Sequence, residues 1–140
     1  MTTSIDTNVL AGLWDVDDTL NGAAQQALDR ASAHGNLVVC APVFAELLAF
    51  PQRTESFLEA FFRETSISVD WSLSKGVWKS AGRAFGAYAA RRRRGGESGP
   101  RRVLADFLIG AHAAQNGHRL LTLDQGIYRA AFPKLKLVSL

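Results

Sequence analysis

Apolar residues along the chain alternate between short continuous runs and longer stretches in which they recur with the spacing of a helix. The continuous runs cover residues 37–41 and 119–123, a short and largely β-branched segment covers residues 2–5, and weaker runs cover residues 67–69 and 136–139. Each run has the length and the β-branched or aliphatic character of a strand. Strands that alternate with helical stretches predict an α/β domain with a mostly parallel central sheet.

The stretches between these runs predict helices with recognisable ends. Thr54 is a residue type preferred just before a helix, and Gly35 and the pair Gly95-Gly96 follow predicted helix ends. No internal repeat or linker divides the sequence, so we expect a single domain over residues 1–140. The predicted helices cover residues 20–33, 42–50, 55–62, 74–94, 103–116 and 127–132.

Four carboxylates, Asp6, Glu46, Asp106 and Asp124, each stand where an apolar run meets a helix or a tight turn. Asp6 and Asp124 directly follow predicted strands, whereas Glu46 and Asp106 lie early in helices that can lean over the same sheet edge. Acids gathered at one edge repel each other unless a divalent cation neutralises them. Oxygen ligands of this kind select Mg²⁺ or Mn²⁺, so the pattern predicts a metal site.

The positive charge is concentrated in one segment. The chain carries 16 Lys and Arg against 13 Asp and Glu, but residues 91–102 alone hold six arginines and one glutamate. The rest is therefore mildly acidic, with ten basic and twelve acidic groups. Two interpretations stay open for Arg91, Arg92, Arg93, Arg94, Arg101 and Arg102: a clamp for RNA phosphates beside the acids, or a solvated loop.

Other reactive residue types have simpler explanations. Cys40 lies inside an apolar run and is expected to be a small buried hydrophobe. We expect the acids at positions 15, 17 and 18 to belong to a helix approach outside the site, and the histidines at positions 34, 112 and 118 to lie outside it as well. No apolar stretch reaches the roughly 20 residues of a membrane span, and residues 1–6 lack signal-peptide features, so a cytoplasmic protein is expected.

Taken in order, four segments resemble PIN-domain ribonucleases: residues 4–10 (SIDTNVL), 45–48 (AELL), 106–111 (DFLIGA) and 120–124 (LLTLD). The resemblance covers essentially the whole chain and is strongest to VapC-type toxins of bacterial type II toxin-antitoxin pairs. It implies a three-layer α/β/α fold. After Asp124 the family often has another acid and then a phenylalanine, whereas this chain has Gln125 and Tyr128.

The resemblance also implies a function and roles for six residues. Asp6, Glu46, Asp106 and Asp124 would bind Mg²⁺ or Mn²⁺, and Asn8 and Thr122 would orient the acids or a metal-bound water. The implied activity is hydrolysis of RNA phosphodiesters by metal-activated water. The implied partners are RNA, a cognate antitoxin protein and a second copy of the chain in a homodimer.

Two other functions are consistent with parts of the sequence. A catalytically silent PIN fold that binds RNA or protein would be indicated by a missing acid, and none is missing. A phosphatase with a strand-end aspartate nucleophile requires a second acid two residues later, where this chain has Asn8. The apolar face with Phe57, Leu58, Phe61 and Phe62 is expected to be core, and part of it could also form an antitoxin groove.

Overall fold

A five-stranded, entirely parallel sheet forms the centre of the computed structural model, which describes residues 1–97 and 103–140. The mostly parallel sheet predicted from the sequence is therefore confirmed. Its strands are β1 (Thr2–Ile5), β2 (Asn36–Cys40), β3 (Ile67–Asp70), β4 (Arg119–Leu121) and β5 (Leu137–Val138).

The described residues form seven helices. Six lie where apolar periodicity predicted them, and the helix that follows β1 was not predicted as a separate element. They are α1 (Thr7–Trp14), α2 (Asn21–Ala33), α3 (Ala41–Leu47), α4 (Glu55–Thr65), α5 (Lys75–Arg94), α6 (Leu104–Gln115) and α7 (Gln125–Ala131).

Side chains of neighbouring residues cap the N-termini of several of these helices. The Thr54 hydroxyl accepts a hydrogen bond from the Phe57 backbone N–H (3.1 Å) at the start of α4, as predicted for an N-cap. Ser74 caps α5 in the same way. Gly35 follows the C-cap residue His34 just past the end of α2, as predicted. It has φ +148°, and a Cβ there would lie 1.8 Å from the Met1 carbonyl oxygen.

The strand order β3-β2-β1-β4-β5 determines where a ligand can bind. From β1 the chain moves outward through β2 to β3 and then crosses back to β4, so the strand order reverses between β1 and β4. Right-handed crossovers put the helices of the two halves on opposite faces, which gives the predicted three-layer α/β/α arrangement. The crevice beyond the carboxyl ends of β1 and β4 is the expected binding position.

Buried aliphatic and aromatic side chains pack on both faces of the sheet. Cys40 belongs to this core, and burial raises the pKa of its thiol to about 12, which agrees with the prediction of an unreactive cysteine. None of the helices within the described ranges combines the length and the apolar character needed to cross a membrane.

Candidate active site

All four predicted acids line one cleft of about 550 Å³ at the carboxyl edge of the sheet. Asp6 and Asp124 occupy the N-cap positions of α1 and α7, directly after the segments that contain β1 and β4. Glu46 lies in α3, and Asp106 lies in the first turn of α6. The structure thus brings together residues that span positions 6 to 124.

Asp6 is the buried centre of this cleft, with only 4% of its surface exposed. Its Oδ1 accepts a hydrogen bond from the Thr7 backbone N–H (2.8 Å). Its Oδ2 accepts two more, from the Thr122 hydroxyl (2.8 Å) and the Tyr128 hydroxyl (3.0 Å). Burial raises the pKa of Asp6, these donors oppose that rise, and the negative charge of Glu46 adds to it.

Two threonines connect Asp6 to other acids of the cleft. The Thr7 hydroxyl donates to Glu46 Oε1 (2.6 Å), while the backbone N–H of the same residue donates to Asp6. The Thr122 hydroxyl donates to Asp6 and accepts from the Asp124 backbone N–H (3.0 Å). Asp6, Glu46 and the Asp124 backbone therefore belong to one hydrogen-bond network.

Asn8, for which the resemblance implied a role in orienting the acids, makes a different contact. It lines the cleft, but its Oδ1 accepts a hydrogen bond from the Leu123 backbone N–H (3.2 Å). It thereby ties the start of α1 to the loop between β4 and α7.

Thr7 and Tyr128 are site residues that the sequence analysis missed. Tyr128 is 1% exposed, and burial together with the nearby charge of Asp6 raises the pKa of its hydroxyl. Its ring packs closely on Gly110, where an added Cβ would lie 2.4 Å from the Phe132 ring and 3.0 Å from Tyr128 Cδ1. Tyr128 reaches Asp6 across 122 positions of the chain, so no local sequence pattern indicated its role.

Asp15 and Asp18, which we expected to belong to a helix approach outside the site, also line the cleft. Each also accepts a backbone hydrogen bond in the approach to α2: Asp15 Oδ1 from the Asp17 N–H (3.1 Å) and Asp18 Oδ1 from the Leu20 N–H (2.8 Å). Asp17 is exposed and is not among the lining residues.

The acids share the cleft without meeting at one point. Within residues 1–97 and 103–140, no three His, Cys, Asp or Glu side chains lie close enough together to hold a metal ion. The donor chemistry nevertheless fits a hard divalent cation, because the described lining residues offer carboxylate, hydroxyl and amide oxygens and no Cys or His.

The histidines lie away from the cleft, as expected, and one has a clear structural role. His112 is fully buried, and its Nε2 lies 2.8 Å from Asp70 Oδ2. The hydrogen bond to His112 lowers the pKa of Asp70. His118 packs against His112 with ring centroids 5.6 Å apart, and burial lowers the pKa of His118.

The predicted arginine segment is only partly described. Arg91–Arg94 form the last turn of α5, and Arg92 pairs with Glu97 (2.7 Å). None of these four is among the described residues that line the cleft. Arg101 and Arg102 lie outside the described residues.

An open parallel sheet with acids gathered where its strand order reverses defines an α/β domain with its binding site at the carboxyl edge. The chain belongs to the PIN domain family, whose profile matches residues 4–133. A comparison with curated proteins found no significant match.

Solved structures share this fold at low sequence identity. VapBC2 from Rickettsia felis, bound to a promoter DNA fragment, is 18% identical with a TM-score of 0.64, covering 100% of this chain and 99% of that chain. A toxin-antitoxin complex from Klebsiella pneumoniae is 18% identical with a TM-score of 0.62, covering 97% and 95%. VapC20 from Mycobacterium tuberculosis, a toxin that cleaves the sarcin-ricin loop, is 17% identical with a TM-score of 0.59, covering 96% and 98%.

Proposed function

We propose that the chain is a Mg²⁺- or Mn²⁺-dependent endoribonuclease and the toxin of a type II toxin-antitoxin pair. The observation that carries this proposal is the hydrogen-bond network that joins Asp6 to Glu46 through Thr7 and to the Asp124 loop through Thr122. Such a network holds carboxylates in place against their mutual repulsion. Membership in the PIN domain family supports a nuclease.

In this proposal Asp6, Glu46, Asp106 and Asp124 are the metal ligands. When bound, the cation would supply water activation and would stabilise the charge on the leaving oxygen of a phosphodiester. Asp6 is the fixed ligand, because three donors hold its carboxylate. Thr122 and Asn8 position the Asp124 loop. The other three carboxylates would have to approach Asp6 to complete the site, because no three acids of the described residues lie close enough together to hold a metal ion.

Two partners follow from the same proposal. The Klebsiella pneumoniae structure is a toxin-antitoxin complex, so we propose an antitoxin protein as a partner. From family resemblance we also propose a homodimer. Arg91–Arg94, Arg101 and Arg102 are proposed to contact RNA phosphates. The pairing of Arg92 with Glu97 makes Arg92 the weakest member of that set.

RNA cleavage by the purified chain tests the proposal, with single-stranded and structured RNAs in Mg²⁺, in Mn²⁺ and in excess chelator. We expect cleavage only with metal, and a loss of at least about a hundredfold in Asp6→Asn, since the metal contributes several kcal/mol of transition-state stabilisation. Asp17→Asn is the matched control, because Asp17 is a nearby acid outside the cleft.

Cleavage that persists in chelator or in Asp6→Asn would contradict the metal mechanism. RNA binding without cleavage under any metal condition would favour the alternative of a catalytically silent PIN fold. Growth arrest on expression, relieved by co-expression of the product of a neighbouring gene, tests the toxin assignment separately.

A further inference from the structure

A smaller pocket of about 140 Å³ continues from the acidic cleft. The two cavities share Ala11, Asp15 and Phe50 as lining residues. Trp14 and Arg53 belong to the smaller pocket alone. A polymer that extends from the cleft in this direction would therefore pass Phe50 before it reaches Arg53.

Aromatic rings hold the guanidinium group of Arg53. Its Cζ lies 4.6 Å from the ring centroid of Trp14 and 4.5 Å from that of Phe57. Within the part of the chain that the structure describes, Arg53 has no carboxylate partner. The rings thus orient a positive charge without neutralising it, which leaves its N–H donors available to an anion.

The backbone turn that carries these side chains is well defined. The Arg53 N–H donates to the Phe50 carbonyl oxygen (3.3 Å), and Gln52 between them adopts φ +66°, an uncommon conformation for a residue other than glycine. The turn presents a 40% exposed Phe50 ring at the border of the cleft. An exposed ring and an unpaired guanidinium three residues apart match the base and the phosphate of one nucleotide.

We propose that this pocket is a nucleotide subsite for single-stranded RNA, in which Arg53 binds a backbone phosphate next to the scissile one and Phe50 stacks on a base. The assignment rests on the proposed ribonuclease function. Asp6, Glu46, Asp15 and Asp18 make the cleft negative, so an RNA strand that enters it needs an adjacent cation. Stacking on Phe50 requires an unstacked base, which single strands provide and duplexes do not.

The test is a binding titration by fluorescence anisotropy with a short labelled oligouridylate and its duplex with oligoadenylate. All variants carry Asp6→Asn, so that the RNA stays intact in Mg²⁺. We compare Arg53→Gln, Arg53→Lys and Phe50→Leu with Arg63→Gln, which removes the same charge from an exposed site in the last turn of α4. Circular dichroism verifies that each variant is folded.

We expect Arg53→Gln and Phe50→Leu each to weaken single-strand binding about tenfold, and Arg63→Gln to leave it unchanged. Arg53→Gln should also lower the slope of log affinity against log salt by roughly 0.7, the value for one phosphate contact on a single strand. Arg53→Lys should recover part of the affinity, because the charge is kept and the planar fork is lost.

Equal affinity of Arg53→Gln and Arg63→Gln for the oligouridylate would overturn the subsite, even if the wild-type chain cleaves RNA. If Arg53→Gln weakens the binding of a protein partner and leaves RNA binding unchanged, the surface belongs to that partner, and the subsite proposal is also overturned. If the wild-type chain cleaves no RNA and Arg53→Gln still weakens binding, the ribonuclease proposal fails, while the pocket stands as an RNA-binding site.

Discussion

Replacing Tyr128 by phenylalanine removes one oxygen atom from the centre of the site and leaves the ring in place. The Tyr128 hydroxyl donates to Asp6 Oδ2 at 3.0 Å, and both side chains are buried. A hydrogen bond to a charged acceptor contributes about 1.5–3 kcal/mol. Thr122 and Thr7 still donate to Asp6 in the variant. We therefore expect Tyr128→Phe to lower the free energy of unfolding by an amount near the lower end of this range, about 1.5 kcal/mol.

The sign of the effect on pH dependence follows from the pKa of Asp6. Burial raises this pKa above its ordinary value of 3.8, so the folded state loses stability as the pH rises from below 3.8 through the folded pKa. Tyr128→Phe removes a donor that favours the charged carboxylate, so it should raise the folded pKa of Asp6 further. The variant should therefore be less stable than the wild type at neutral pH and closest to it in acid.

Two measurements check this prediction: urea denaturation across pH, and NMR titration of the Asp6 carboxyl carbon in metal-free protein. Tyr88→Phe is the matched control, because the Tyr88 ring packs on Phe107 and its hydroxyl has no hydrogen-bond partner within the described residues. An Asp6 titration that is the same in Tyr128→Phe and Tyr88→Phe would refute the role assigned to this hydrogen bond.

Three further predictions concern packing, a buried pair and charge. Urea denaturation should show Gly110→Ala to be about 1–3 kcal/mol less stable than Gly82→Ala. Both substitutions gain helix propensity, but only the Cβ added at position 110 meets an aromatic ring. Equal stability of the two variants would contradict this prediction. Asp70→Ala should cost about 1–3 kcal/mol at neutral pH by leaving buried His112 unpaired, and the loss should shrink as the pH falls through the lowered pKa of Asp70. Neutralising Arg91–Arg94 should flatten the salt dependence of RNA binding and leave metal affinity intact; an unchanged salt slope would contradict the phosphate role.

Strand ends explain why so much of the cleft could be predicted. Asp6 and Asp124 follow runs with the length and composition of strands, and parallel strands of one sheet present their carboxyl ends at one edge. Helix caps such as Thr54 were also predictable, because a cap contacts backbone only three residues away.

The supporting residues depend on contacts between distant parts of the chain. Tyr128 bonds to a residue 122 positions away, and His112 to one 42 positions away, so neither contact leaves a local pattern. Asp15 and Asp18 look like ordinary residues before a helix, and only the path of the chain after α1 brings them to the cleft. The sequence around Thr7 does not indicate a contact with Glu46, because this hydrogen bond depends on how α3 packs beside α1.

The central claim is that Asp6, Glu46, Asp106 and Asp124 hold one metal centre. Anomalous diffraction at the manganese edge, from crystals soaked in Mn²⁺, measures this directly. We predict an anomalous peak inside the cleft, within coordinating distance of Asp6 and at least one other of these carboxylates. A cleft without a peak, or a peak confined to the acids at positions 15, 17 and 18, would contradict the claim.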